Sequence, residues 1–246
     1  MYLMKVLACL IAVPLLFAAD VPSGEKVLEM SLEKSGGAAA FAKAKSVVMS
    51  GTVELAGHNI KGPVTIFQKD GKSYTTLDLP GIGKVEEGFD GNTAWESNAI
   101  QGARVKEGEE RALVARAAHM LSLLDSWREF YTIVKTAGSE DVNGKPAWKV
   151  EMTPKLGKVE TLYVDKDSGM VVRSSQTVAM PMGDIPVEEE LSDYRFVDGI
   201  KTPFSMTQKA MGQVMVMHFD KVNYNADIPA DRFDLPASVK ALADKK

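Results

Sequence analysis

Residues 46–79 read SVVMSGTVELAGHNIKGPVTIFQKDGKSYTTLDL, and the first ten of them decide what kind of fold this is. Val47, Met49, Gly51, Val53 and Leu55 alternate with Val48, Ser50, Thr52 and Glu54, the period-two pattern of a strand with one face on a core. The pattern resumes over 60–69 and again over 72–79, and only Asp70-Gly71 separates those two stretches. A two-residue connection of this kind tolerates the positive φ angles that a tight antiparallel hairpin requires.

Working outward, the same punctuation recurs at Asp90-Gly91, Asn143-Gly144 and Asp198-Gly199, with Asp167-Ser168-Gly169 and Met211-Gly212-Gln213 as further reversals. The predicted strands are 46–55, 60–69, 72–79, 84–89, 92–97, 130–140, 146–153, 158–165, 170–178, 186–196, 202–210 and 213–223. So many local reversals imply a meander in which each strand pairs with the one before it, because parallel pairing would need long crossovers. About ten or more strands are too many for a small flat sheet, so strong curvature or closure is expected.

Two segments interrupt the meander. Ser23 can cap a helix over Glu25 to Lys34, with Val27, Met30 and Leu32 facing inward, before Gly36-Gly37 breaks it and Ala38 to Lys45 resumes a turn or two. Gly108 to Arg128 contains no proline and opens with Glu109 and Glu110, which favour a helix N-terminus. Leu113, Ala117, Met120, Leu121, Leu124 and Trp127 give it a wide apolar stripe, broadened by Val114, Ala115, Ala118 and Leu123. Such a face suits a lid helix inserted into a concave surface. The fold class is mainly β with helices: a strongly curved antiparallel sheet with an N-terminal helix and an inserted lid.

The chain begins MYLMKVLACLIAVPLLFAAD, a basic residue, an apolar run and then small residues, which is the form of a secretory signal peptide over 1–19 cleaved after Ala18 or Ala19. Residues 20–246 then form a single domain. Cys9, the only cysteine, lies inside the apolar run, so neither a lipid anchor nor a disulfide is expected, and a periplasmic location fits. With 29 Lys and Arg against 33 Asp and Glu interspersed, there is no basic stripe for nucleic acid.

Catalytic signals are sparse. His58, His119 and His218 fall in three different elements without a ligand spacing, so no metal and no cofactor is expected. There is no Gly-x-Ser-x-Gly, and the glycines of Leu79-Pro80-Gly81-Ile82-Gly83-Lys84 are not followed by a helix that could cradle phosphate. Glu188, Glu189 and Glu190 share a strand, the middle one facing opposite its neighbours; a solvated strand edge explains them better than an acid–base pair. Methionine is more telling. Met152, Met170, Met180, Met182, Met206, Met211, Met215 and Met217 all fall in the C-terminal half. Met215, Met217 and Phe219 share one strand face, with Val214 and Val216 on the other. Flexible thioether side chains suit either a wall that accepts ligands of variable shape or an ordinary core, and strand pattern alone leaves both open. Copper binding is disfavoured, because these methionines follow strand alternation and form no clustered loop.

Phe89-Asp90-Gly91-Asn92-Thr93-Ala94-Trp95 resembles the "DG–x–x–x–W" hairpin of the LolA/LolB-type lipoprotein carriers. Gly144 to Val150, Tyr163 to Gly169, and Asp193-Tyr194-Arg195 with Asp198 to Phe204 resemble later hairpins of that superfamily and of its outer-membrane lipoprotein-sorting relatives, in the same order along most of the chain. The resemblance implies an unclosed β-barrel with a helical lid and an apolar interior that receives lipoprotein acyl chains, with a partner protein in the outer or inner membrane. It departs at Phe67-Gln68-Lys69-Asp70-Gly71-Lys72, where the arginine before proline of the best-known carriers is missing, and no lid-controlling role passes to Lys69.

The expected function is therefore a non-catalytic periplasmic carrier or binding protein for an acyl chain or another lipid. Trp95, Leu113, Met120, Leu124, Met152, Met206, Met215 and Met217 are expected to line or plug the cavity. The alternative is a sensor or interaction module whose cavity is filled by its own helix, and an enzyme is a third and weaker reading.

Overall fold

The computed structural model describes residues 21–121, 123–180 and 183–243. The signal peptide expected over 1–19, with Cys9, lies outside the described residues, as does Met182. Thirteen strands form one antiparallel sheet: β1 Ser46–Leu55, β2 Ile60–Lys69, β3 Lys72–Leu79, β4 Gly83–Phe89, β5 Ala94–Asn98, β6 Gly102–Lys106, β7 Tyr131–Val142, β8 Lys145–Pro154, β9 Glu160–Asp165, β10 Val171–Met180, β11 Gly183–Val197, β12 Ile200–Ala210 and β13 Gln213–Tyr224. The helices are α1 Gly24–Lys34, α2 Ala38–Lys43, α3 Gly108–Ala117 and α4 Ala237–Ala243.

Neighbouring strands are consecutive in sequence except at one place. The order is β6-β5-β4-β3-β2-β1-β13-β12-β11-β10-β9-β8-β7, so the last strand returns to pair with the first. Asp70-Gly71, Asn143-Gly144, Asp198-Gly199 and Met211-Gly212 each place two successive residues at positive φ, the backbone of a two-residue hairpin whose twist matches the strands it joins. At Asp90-Gly91 only the glycine has positive φ, and the Asp90 carboxylate closes the turn by accepting from the backbone N–H of Asn92 and Thr93 at 2.8 and 2.6 Å.

The sheet curls on itself without closing, since β6 and β7 remain unpaired edges. The ten-residue α3 touches β4 and β5 on one side and β10 on the other. In a flat sheet β5 and β10, eight strand spacings apart in this order, would be separated by about 38 Å. A helix of that length spans about 15 Å. The face that α3 crosses is therefore the concave one.

Alternation sorts the strands into two faces. The concave face of β1 carries Val47, Met49 and Val53, which join Val64, Leu79, Phe204, Met217, Phe219 and Val222 in one core cluster. Farther around, Val150 and Met152 of β8 and Val164 of β9 meet Trp127, Tyr131 and the α1 residues Val27 and Leu28. The Ser23 hydroxyl caps α1 by accepting from Lys26 N at 3.2 Å. The buried stripe of α1 is Gly24, Val27, Leu28 and Ser31; Val27 faces inward as expected, Met30 packs at the margin of the same cluster, and Leu32 is half-buried.

On the convex face Val48, Phe67, Tyr74, Gly88, Trp95 and Val105 stand side by side from β1 to β6. The C-terminal segment covers them with Ile228, Phe233, Leu235 and Val239. Gly88 permits this packing: a Cβ there would lie 2.6 Å from the Trp95 indole, which rests on the bare backbone.

Candidate functional site

The segment joining the two sheet edges forms a strap across the hollow. It comprises α3, an irregular stretch, and a single 3-10 turn at Trp127–Glu129. The helix expected over Gly108 to Arg128 therefore ends at Ala117. The reason is packing. Val114 and Ala118 sit on Phe89 and Ala94, Leu121 reaches the cluster of Val47 and Met49, and Leu123, Leu124 and Trp127 turn to the cluster around Val150 and Met152. One helix face cannot serve three separate targets.

Charged groups hold α3, the first part of the strap, at both of its ends. Near its start, the Arg104 guanidinium donates to both Glu110 oxygens at 2.6 and 2.8 Å and to Glu96 at 2.9 Å. Lys106 pairs with Glu96 at 3.0 Å and with Glu87. Burial works to raise the Glu96 carboxyl, but Lys106 and Arg104 overcome it and hold the group below its usual range. At the C-terminal end of α3, Arg116, 7% exposed, pairs with Glu160 of β9 and donates to the Leu156 carbonyl at 3.0 Å, while the Tyr131 hydroxyl donates to the second Glu160 oxygen. Burial and the Glu160 charge push the Tyr131 hydroxyl far above its usual range, so it stays a donor. Just beyond Arg116, the Gln68 amide donates to the Ala117 carbonyl at 3.0 Å, and the His119 ring packs on Phe130 with centroids 4.9 Å apart.

Beyond the strap the concave wall is apolar and only half covered. Leu55, Ile60, Ile66, Leu77, Ile82, Met206 and Met215 are all partly buried and pack against the core cluster of β1 and β13. Clefts of about 340 and 260 Å³ occur elsewhere, the first lined mainly by polar side chains of β9 to β12 such as Thr161, Ser175, Thr177 and Glu188.

No family description matches this sequence, and no curated protein matches it. Solved structures do. A DUF1329 family protein from Desulfovibrio piger superposes with a TM-score of 0.58 at 14% identity, covering 87% of this chain and 98% of that one. A LolA superfamily protein from Nitrosomonas europaea superposes with a TM-score of 0.57 at 13% identity, covering 87% and 99%. The fold is LolA-like. At these identities the likeness establishes architecture and leaves the ligand open.

Within the LolA-like fold, the residues expected to line the cavity separate into three groups. Met206, Met215 and Met217 come together on the concave face of β12 and β13, where Met206 and Met217 are register partners. Met217 is buried in the core, whereas Met206 and Met215 remain half-buried. Met152 is buried, and Leu124 packs against its cluster from the strap; Leu113 is half-buried on α3. Met120 is 43% exposed. Trp95 is a correction: it is 2% exposed, but it lies on the convex face under Ile228, Phe233 and Val239. Ala94 and Glu96 take the concave positions of β5, the one-residue parity error that inverts a strand.

The LolA-like wall also carries a polar group that sequence reasoning assigned to solvent. Strand β11 is central in the sheet and not an edge. Glu188 and Glu190 do face outward, paired with Lys209 at 3.3 and 2.6 Å. Glu189 faces the concave side, accepting from the Gln208 amide at 3.0 Å with the Ser174 hydroxyl at 3.4 Å. Burial raises its carboxyl above the usual range, and the nearby Glu160 adds to this, against the two neutral donors. The alternation that sends Glu189 inward was legible; the strand order that makes inward an enclosed position was not.

Proposed function

We propose that residues 20–246 act as one exported carrier or binding unit that holds an acyl chain or another lipid against the concave wall, with the strap as its cover. The observation that carries this reading is the continuous, only partly buried apolar wall of Leu55, Ile60, Ile66, Leu77, Met206 and Met215 inside a curled sheet. Apolar patches of this kind on a soluble chain mark ligand or partner surfaces. Burying ten methylenes there would contribute about 8 kcal/mol before ordering costs, enough for useful binding without polar contacts. Methionine at the wall tolerates chains of different shape. The reading is one of binding and not of catalysis, and export rests on the leader read in the sequence.

A test is native mass spectrometry of the chain purified by gentle extraction, with titration of a fluorescent acyl probe. Co-purified lipid is expected, together with probe affinity that falls at least tenfold in Met215→Glu while the far-ultraviolet spectrum is unchanged. A lipid-free chain that ignores the probe would contradict the carrier.

One observation favours a second reading. Leu121 of the strap already rests on the cluster of Val47 and Met49, so part of the hollow is filled by the chain itself. A permanently plugged hollow would suit an interaction module with a protein partner, and the lipid-free outcome supports it.

A further inference from the structure

We propose that Ser174, Glu189 and Gln208 form a polar subsite on the concave wall that takes the ammonium group of an amphiphile whose chain lies along Met215, Leu55 and Ile60. The inference rests on the lipid-binding reading above and adds the chemistry of the head group.

The pairing register places these six residues in one row. Ser174 stands beside Glu189, Glu189 beside Gln208, Gln208 beside Met215, Met215 beside Leu55 and Leu55 beside Ile60. One row across six adjacent strands thus passes from polar to apolar, and it matches the outline of a molecule with a head and a chain. Strands lie about 4.8 Å apart, so the polar part spans about 10 Å, the size of a small head group.

Charge selects the head. Among the described residues Glu189 has no cationic partner; it meets only the neutral Gln208 amide and Ser174 hydroxyl. Arg116, which faces the hollow, is committed to Glu160, and Lys209 and Arg173 pair with Glu188, Glu190 and Glu140. A half-buried carboxylate held only by neutral donors costs free energy that an incoming cation would offset. A primary ammonium has three donors. The Glu189 carboxylate, the Ser174 hydroxyl oxygen and the Gln208 amide oxygen supply three acceptors from three strands. A free carboxylate or phosphate head would instead meet two acidic side chains, Glu189 and Glu160. The upward displacement of the Glu189 carboxyl agrees with a site lacking its counter-charge.

The experiment is calorimetric titration of the delipidated chain at neutral pH with dodecylamine, dodecanol and lauric acid, which share a chain and differ in the head. Each is kept below its micelle-forming concentration. Dodecylamine is expected to bind at least about tenfold more tightly than dodecanol, with lauric acid weakest; tenfold corresponds to about 1.4 kcal/mol. Glu189→Gln should bring dodecylamine to within twofold of dodecanol. Glu188→Gln, on the convex face of the same strand, should leave the preference intact, which separates the subsite from the general pull of an acidic protein. Should Glu189→Gln fail to fold, Ser174→Ala with Gln208→Leu must itself shrink the preference at least threefold. Equal affinity for amine and alcohol, or a preference that survives Glu189→Gln, overturns the subsite and leaves the carrier standing. Failure of all three ligands to bind overturns both.

Discussion

The two faces of the sheet solve the same problem differently. On the convex side, the aromatic patch of Phe67, Tyr74 and Trp95 is covered by residues 226–239 of the same chain, leaving Trp95 2% and Val239 0% exposed. On the concave side, α1 and the strap cover the regions around Met152 and Phe89, yet Leu55, Ile60, Met206 and Met215 stay half-buried. The C-terminal segment covers the convex aromatic patch, while a row of large apolar side chains on the concave wall stays partly open, and the proposed ligand would lie on that second surface.

The sharpest way to break this comparison is on the sealed face. Trp95→Ala should destabilise by about 3–5 kcal/mol, because the cavity beneath the C-terminal segment cannot refill. Chemical denaturation would measure the loss, and the surviving folded fraction should bind the acyl probe with unchanged affinity. Next comes the strap. Arg116→Met removes one member of a buried pair and strands Glu160, at an expected cost of about 3 kcal/mol, most of which Arg116→Met with Glu160→Gln should restore. If the double variant is no more stable than the single one, the pair does not hold the strap in the way described.

The concave methionines separate core from wall. Met217→Ala, at a buried position, should cost about 2 kcal/mol or more, whereas Met215→Ala, at a partly buried one, should cost less than about 1 kcal/mol and weaken probe binding more. Equal effects on stability and binding at both sites would erase the distinction. The smallest effect concerns pH. A carboxyl raised in the folded state contributes stability that is full below its unfolded value and is lost as pH rises through the folded value. Thermal melts of Glu189→Gln and the parent chain should therefore diverge in favour of the variant as pH rises from about 4 to 8, and a constant difference would show that Glu189 does not titrate in an enclosed site.

How much of this was legible follows from what each residue reports locally. Strands 46–55, 60–69 and 72–79 appear with the expected limits, because alternation and a glycine turn are both short-range signals. Strand β6 escaped notice: it has five residues, and its concave side bears Arg104, while Lys106 ends the strand inside an ion network. Charge there mimics a loop, and only the partners Glu87, Glu96 and Glu110 reveal otherwise. The strap was overextended as a helix because its apolar residues look like one stripe until their three targets are known. Trp95 and Glu189 fail for a shared reason. Sequence tells which neighbours face the same way, but which way is inward depends on strand order and on what the distant C-terminal segment covers.

The return of β13 to β1 has a further effect. Every neighbouring pair in the ladder from β6 to β7 is made without help from residues 118–126. Severing the backbone within that stretch should leave two fragments held together by the β1–β13 seam, which co-elution of the cleaved halves as one folded species would check. The connection between the two sheet edges could thus be opened while the ladder of strands stays continuous.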